Sequence, residues 1–468
     1  MKLQEEVFQM NNLIPPPSEE SKAMLVNRVM GAAAAALIKY DSAIPITIVY
    51  HNDTDGLTSG AIMKHALEKT GRQVASFCME QVYQVPLTKL YETAKGPIIF
   101  MDLGINEQKE AFIRRNTRDR PTIIIDHHGT FMQQPICPAG KDNVFDVNCN
   151  KYGIGGDKYA SASTLTYLLA SKITGIIELS SLAVLGAFSD KNHMLGEEKG
   201  FFSVKGLDHK VLEFSSDAIV DDGIFKLRLQ NSTGFKLMDQ LVQDVTVLGS
   251  IGYRKRGSGL GPETLDAQIS GPDLGIQLLT QGYSDQILEA TAHLSKLKET
   301  AYETALNRLK EGDYDIRDRI FFFDTKDIFA GMGVKTIGSF CDHLLNERFK
   351  NQMNLMQFNK YVLGAQLIEP VPFGDSSVPA FEVEDVLKVS VRTPFELKET
   401  IDAGTSIDVT ELLQRANPDQ TGSTHRLRGA TVVPKNKINE FLSKCESLIR
   451  EKKTKPVKLP ELDIGIES

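Results

Sequence analysis

The sequence predicts an α/β protein, with a parallel-sheet domain over 20–200, a helical middle region over 201–316 and a smaller α/β domain over 317–450. Three observations carry this expectation. Short apolar, β-rich runs near the N-terminal end each run into a polar loop and then a helical pattern. That alternation stops near residue 200, where helical periodicity takes over. It resumes at 319 and continues to a final helix.

Residues 21–40 open the chain with helical periodicity: Leu25, Val26, Val29 and Met30, then a run of alanines. The apolar stretch at 31–38 is too short to span a bilayer and reads as a buried helix. IPITIVY at 44–50 resembles a buried parallel strand, followed by the loop HNDTDGLTSG and the helical AIMKHALEKT. PIIFMDLG at 97–104 and PTIIIDHHGT at 121–130 repeat the strand-then-loop pattern, and LAVLGAFSD at 182–190 is a helix or strand ending in a polar turn. The middle region has helical stretches at 235–249 and 284–312 around a glycine-rich segment. It is expected to be a linker or an inserted interaction module outside the catalytic floor. Beyond it, IFFFD, YVLGAQL, VLKVSVRTP and ATVVP read as strands among helices, and the tail at 451–468 as a loose polar segment.

Composition narrows the class. Hydrophobic residues at 41% and charged residues at 24% describe a soluble globular chain. Five scattered cysteines without a CxxC pair argue against a disulfide framework or a zinc ribbon and fit a reducing compartment. The first residues lack a basic-then-apolar leader pattern, so a cytoplasmic protein with no membrane partner is expected. A formal net charge of −8 is unusual for a nucleic-acid binder. A site that gathers carboxylates around divalent ions would nevertheless make a chain acidic.

The chemistry-bearing residues fall into four motifs. His51, Asp53 and Asp55 alternate directly after a strand, with Gly56 allowing a sharp turn into the next helix. Asp102 follows the second strand, Asp126-His127-His128 the third, and Asp190 ends the fourth segment. In open α/β sheets ligands bind beyond the carboxyl ends of the strands, so these segments should converge on one edge. An isolated Asp after a strand commonly caps the next helix, but four such motifs in series favour a metal site. Carboxylate oxygen with imidazole nitrogen suits Mn²⁺ or Mg²⁺, with Zn²⁺ or Co²⁺ as softer alternatives. The ligands exceed what one ion needs, which points to two divalent ions sharing a carboxylate, about 3.5–4 Å apart. His65, His193, His209, His293 and His343 read as ordinary polar residues.

In this order, HxDxDG, DxG, DHH and GxxxD resemble the DHH phosphoesterase superfamily, on His51/Asp53/Asp55/Gly56, Asp102/Gly104, Asp126/His127/His128 and Gly186/Asp190. The serine-rich stretch at 150–170 is similar to that family's helix start, and 319–450 resembles the DHH-associated domain through KVSVRTP and GSTHRLRGA. Length and middle region resemble the archaeal RecJ-like, GINS-associated branch. The resemblance implies a metal-dependent single-strand DNA or RNA exonuclease. His51, Asp53, Asp55, Asp102, His127 and Asp190 would be metal ligands, with Asp102 bridging. His128 would join Asp53, Asp55, Asp102, His127 and Asp190 in catalysis and contact phosphate. Ser390, Arg392, His425, Arg426 and Arg428 would grip neighbouring phosphates, arginine pairing bidentately with phosphate oxygens. One departure stands out: of the family's glycine-glycine-His segment with trailing alanines and glycine, 422–429 keeps only His425 and Gly429.

Two other readings remain open from the residues. One is a small-substrate oligonucleotide phosphoesterase. The other is a scaffold subunit of a replicative-helicase assembly that binds GINS, through the middle region.

Overall fold

A computed structural model of the chain describes residues 19–82, 84–128, 143–175, 178–191, 207–221, 223–232, 234–346, 360–370, 385–418 and 421–454. His193, Cys137 and the tail beyond 454 lie outside these residues.

The N-terminal domain is built on a five-stranded, fully parallel sheet in the order β2-β1-β3-β4-β5. Its strands are β1 (Ile46–His51), β2 (Val74–Met79), β3 (Ile98–Met101), β4 (Thr122–Ile125) and β5 (Val144–Asp146). β1, β3 and β4 are buried along their whole length, as their unbroken apolar runs require in a sheet covered on both faces. Alternation along β1 sorts the layers. Ile46, Ile48 and Tyr50 join a core with α1 (Glu19–Lys39), α2 (Thr54–Lys69), α5 (Ala162–Thr174) and α6 (Ser180–Lys191). Val49 faces the opposite core, with α3 (Gln84–Thr93) and α4 (Glu107–Thr117). The segment ending at Asp190 is therefore the helix α6. Order 2-1-3 places the topological switch between β1 and β3, where an open sheet forms its ligand crevice.

The middle region departs from the sequence expectation in two ways. It is not wholly helical: α7 (Leu207–Phe214) leads into an antiparallel sheet of β6 (Ala218–Asp221), β7 (Ile224–Leu227) and β8 (Lys236–Leu237). These strands are short and largely exposed, so they lack the apolar period that reveals a strand in sequence. Nor does the region stand apart from the catalytic floor. After α8 (Met238–Thr246) comes a π-helical turn, Val247–Ile251, whose Leu248 shares the large core with Leu57 of α2. Asn52 Nδ2 donates to Gly249 O at 3.3 Å, and Thr54 and Thr246 hydroxyls meet at 3.0 Å. A Cβ at Gly249 would lie 2.3 Å from Asn52 O, so only glycine permits this approach. The helices α9 (Gly271–Gln281) and α10 (Asp285–Lys310) complete the support.

The second domain carries a six-stranded mixed sheet, β13-β14-β12-β11-β10-β9. Its strands are β9 (Asp315–Ile316), β10 (Ile320–Asp324), β11 (Tyr361–Leu367), β12 (Val386–Arg392), β13 (Thr421–His425) and β14 (Arg428–Pro434). Around them pack α11 (Lys335–Leu345), α12 (Phe395–Asp402), α13 (Val409–Ala416) and α14 (Ile438–Thr454). Period-2 alternation sends Leu387, Val389 and Val391 of β12 into the domain core and leaves Lys388, Ser390 and Arg392 on the other face.

A buried ion pair joins the three regions. Glu80, just past β2, accepts from Arg254 Nη2 at 2.5 Å and from Val334 N at 2.7 Å, and Arg254 Nη1 donates to Glu369 O. The two charged side chains are only 0% and 5% exposed. Removing one partner leaves a buried charge uncompensated, a loss of about 3–5 kcal/mol. Arg254→Met should therefore lower the unfolding free energy by an amount of that order, read as a fall in the urea midpoint. An unchanged midpoint would show that the pair does not hold the regions together.

Candidate metal centre and substrate cleft

The carboxyl ends of β1, β3 and β4 deliver the first three motifs to one place, as the parallel order requires. Asp53 is the N-cap of α2, its Oδ1 accepting from Gly56 N at 3.0 Å. The helix-cap role is compatible with a ligand role, because it uses only Oδ1. A Cβ on Gly56 would sit 2.5 Å from His51 O, which explains the glycine. Asp102 adopts φ 61°, a left-handed conformation that Asp tolerates better than most side chains and that turns its carboxylate into the crevice.

Three ligand-type groups form, each with its atoms within 4.8 Å: His51/Asp53/Asp102, Asp55/His127/Asp190 and Asp102/His127/His128. Asp102 lies between the first two. Its Oδ2 is 3.6 Å from His51 Nδ1, and its Oδ1 is 3.3 Å from His127 Nε2. His51 Nδ1 also lies 3.1 Å from Asp53 Oδ2, while His127 Nε2 lies 3.3 Å from Asp190 Oδ2 and 3.7 Å from Asp55 Oδ2. Both Asp102 oxygens, His51 Nδ1 and His127 Nε2 are buried without a hydrogen-bond partner among the described residues. Buried polar atoms normally find partners, and these all face one another. The donor set fits divalent cations.

Outer contacts orient these side chains. His51 Nε2 meets Glu80 O at 3.2 Å, which commits that nitrogen to the carbonyl and leaves Nδ1 for an ion. Asp55 is held by Ala162 N and Ser163 N at the start of α5, at 2.9 and 3.0 Å. Asp126 is an orienting residue: its Oδ1 takes His127 N, His128 N and His128 Nδ1, and its Oδ2 takes Ile105 N.

The electrostatics follow from crowding. Burial, then the Asp102 charge, raises the Asp55 carboxyl well above the ordinary range. For His127 burial opposes the charged form, but Asp190, Asp102 and Asp55 outweigh it and raise the imidazole well above its usual value. For Asp190, burial is outweighed by His127, Arg428 and His425, which hold its carboxyl well below the usual range.

The opposite wall comes from the second domain. Lys388, Ser390, Arg392, His425 and Arg428 line the same cavity as His51, Asp53, His128 and Asp190. Arg428 Nη2 donates to Asp190 Oδ1 and O, each at 3.1 Å, and His425 lies 5.1 Å from His128 between ring centres. Arg392 is gripped by Asp342 at 2.6 and 3.0 Å. Arg426 is not brought into this cavity: it sits in the β13–β14 turn, 55% exposed, and pairs with Asp402 at 3.0 Å. Strand alternation explains this, because His425 and Arg428 are cross-strand partners and the turn residue points elsewhere.

Sequence reading missed Lys335, Lys388, Glu80, Val242 and Thr246, all of which line the cavity. Lys388 had a signal, being two positions before Ser390 on one strand face. Burial first, then neighbouring Lys335 and Arg392, lower its ammonium to about 7.

Residues 45–187 match the family model described as DHH family, N-terminal domain. That part of the chain is therefore a DHH-type domain, here joined to a second α/β domain. An uncharacterised protein of Methanocaldococcus jannaschii is 23% identical over 423 residues, covering 87% of this chain and 93% of its own length. RecJ of Thermus thermophilus, solved in complex with Mn²⁺, is similar with a TM-score of 0.54 at 15% identity, over 91% of this chain. The match covers 55% of that RecJ, so this chain spans about half its length. A DHH-domain protein described as belonging to a family of ribosomal proteins matches over 97% of both chains, at TM-score 0.55 and 14% identity. At such identities the structural likeness is one of fold. No helix among the described residues is long and apolar enough to cross a membrane.

Metal ligation requires deprotonated ligands. Asp55 and His127 hold protons more tightly than usual, so an arriving cation must displace them. The sign is then fixed: Mn²⁺ affinity should rise as pH rises through neutrality, with protons released on binding. Calorimetric titrations in buffers of different ionisation enthalpy measure that release, and a pH-independent affinity without proton release would contradict the assignment.

Proposed function

We propose that the chain is a two-metal phosphodiesterase that hydrolyses single-stranded DNA or RNA and releases nucleotides from an end. The observation that carries this is Asp102, buried and without a hydrogen-bond partner among the described residues, with one oxygen toward His51/Asp53 and the other toward Asp55/His127/Asp190. His51, Asp53 and Asp102 would hold one ion, and Asp55, His127, Asp190 and Asp102 the second. Such a pair, Mn²⁺ foremost or Mg²⁺, Co²⁺ or Zn²⁺, supplies Lewis acidity at the phosphoryl group and lowers the pKa of an attacking water. The chain's own residues do the rest. Asp126 fixes His128 through Nδ1, which leaves Nε2 for a phosphate oxygen. Ser390, Arg392, His425 and Arg428 grip adjoining phosphates from the facing wall, where preorganised cations offset developing negative charge. Arg426, outside the cavity, is left to contact more distant phosphates.

None of the described residues lining the cavity is Phe, Tyr or Trp. Among the described lining residues the rings available for base stacking are those of His128 and His425, and the cationic side chains put most of the grip on the sugar–phosphate chain. That supports tolerance of base sequence and of both DNA and RNA. It also favours, as a second reading, a short phosphate-rich substrate such as an oligonucleotide of a few residues. A scaffold role through GINS rests on the family resemblance. The exposed Ile219, Val220, Ile224 and Leu237 of the middle-region sheet are a surface on which such a partner could act. Failure to recover GINS with this protein in a pull-down would remove that role.

The test is degradation of end-labelled single-stranded DNA and RNA, alongside dinucleotides, with Mn²⁺ and with EDTA. Activity should vanish in chelator and return with Mn²⁺, with stepwise shortening of long strands. Turnover of dinucleotides alone would select the short-substrate reading, and full activity in excess chelator would refute the metal mechanism.

A further inference from the structure

The two oxygens of Asp53 have different duties. Oδ1 caps α2 through Gly56 N. Oδ2, 3.1 Å from His51 Nδ1, is the oxygen an ion held by His51, Asp53 and Asp102 would take. That same oxygen is 2.5 Å from Lys335 Nζ. Lys335 is the first residue of α11, so the ammonium reaches Asp53 from the opposite domain. It does not reach by chance. Val334 N, one residue earlier, is fixed at 2.7 Å by the buried Glu80 carboxylate, whose other oxygen holds Arg254. The helix start is anchored, while the lysine side chain remains 32% exposed along the cleft.

A divalent ion and an ammonium cannot share one carboxylate oxygen without strong repulsion, since both charges lie within a few ångströms. Beside Lys335 in the same cavity stand Lys388 and Arg392, on the strand face that meets phosphate. Arg392 is already paired with Asp342, and Arg428 with Asp190. Lys335 therefore pairs with a ligand of the first ion group, whereas Arg428 pairs with a ligand of the second.

We propose that Lys335 is a substrate-binding residue gated by metal: it competes with the divalent ion for Asp53 Oδ2 and, once the ion is bound, carries its ammonium to a phosphate oxygen of the substrate. This rests on the two-metal reading above. It assigns the lysine two successive partners, and it makes loading of the His51/Asp53/Asp102 group a condition for completing the phosphate grip. The ammonium of Lys335 is on a flexible four-carbon stem with three donors, which suits a change of partner better than a fixed guanidinium fork.

The proposal makes an uncommon pairing of effects. Lys335→Met should bind Mn²⁺ more tightly than the wild type, because a competing cation is gone, yet hold substrate less well. In calorimetric titrations of the full chain without substrate, at one pH, the gain should be up to about fivefold, the upper scale of losing one partly exposed ion pair. At saturating Mn²⁺, KM for a single-stranded oligonucleotide should rise. Lys335→Arg, which keeps the charge, should stay near wild-type Mn²⁺ affinity; tightening there too would indicate altered packing and overturn the proposal. Arg392→Met, whose partner is not a metal ligand, should raise KM without tightening Mn²⁺. Unchanged or weakened Mn²⁺ binding in Lys335→Met, or an unchanged KM, overturns the assignment of Lys335 alone. A wild-type chain that binds no Mn²⁺ overturns the two-metal reading and this proposal with it.

Discussion

Asp53, Asp55, Asp102 and Asp190 converge with His51 and His127 in a crevice that is largely closed to water. Like charges at these distances disfavour one another, and burial removes the solvent that would screen them. The molecule meets that constraint with protons and with positive side chains. Burial and the neighbouring Asp102 make Asp55 harder to ionise, while the surrounding carboxylates favour the charged form of His127. Lys335 and Arg428 reach across from the second domain to Asp53 and Asp190. Divalent cations would satisfy the same demand more completely, and with useful chemistry.

The two-lobed architecture follows from that requirement. The parallel sheet supplies acceptors at its strand ends and the mixed sheet supplies donors on one face of β12 and β14. In the proposed reading neither lobe alone would give a phosphate site. Their separation is set where Glu80, Arg254 and Val334 meet, a junction that also carries the carbonyl orienting His51. The middle region belongs to this support: its π-turn packs beneath the loop that bears Asn52 and Asp53, and π-turns of this kind recur at functional sites.

Much of the candidate metal centre was legible in the sequence because three of its four motifs follow a buried strand whose apolar run is unmistakable. His51, Asp53 and Asp55 after β1, Asp102 after β3 and His127 after β4 needed only the rule that ligands gather at carboxyl ends. Asp190 was placed by its motif, although its segment proved to be a helix. Less was legible across the cleft. Ser390 and Arg392 stood out by resemblance, but Lys388 required the alternation of β12 to be followed one step further. Arg426, a turn residue between two cavity residues, falls outside the cavity that His425 and Arg428 line. Lys335 and Glu80 had no local signal. Glu80 follows β2, a strand with partly exposed residues that does not announce itself, and Lys335 acquires its meaning only when another domain comes within 2.5 Å.

The central claim is that one carboxylate, Asp102, is shared between two ions. A crystal of the full chain soaked in Mn²⁺ and measured at the manganese absorption edge tests it directly. The account predicts two anomalous peaks about 3.5–4 Å apart, one beside His51 and Asp53, the other beside Asp55, His127 and Asp190, with Asp102 between them. A single peak, or two peaks that do not share Asp102, would contradict it.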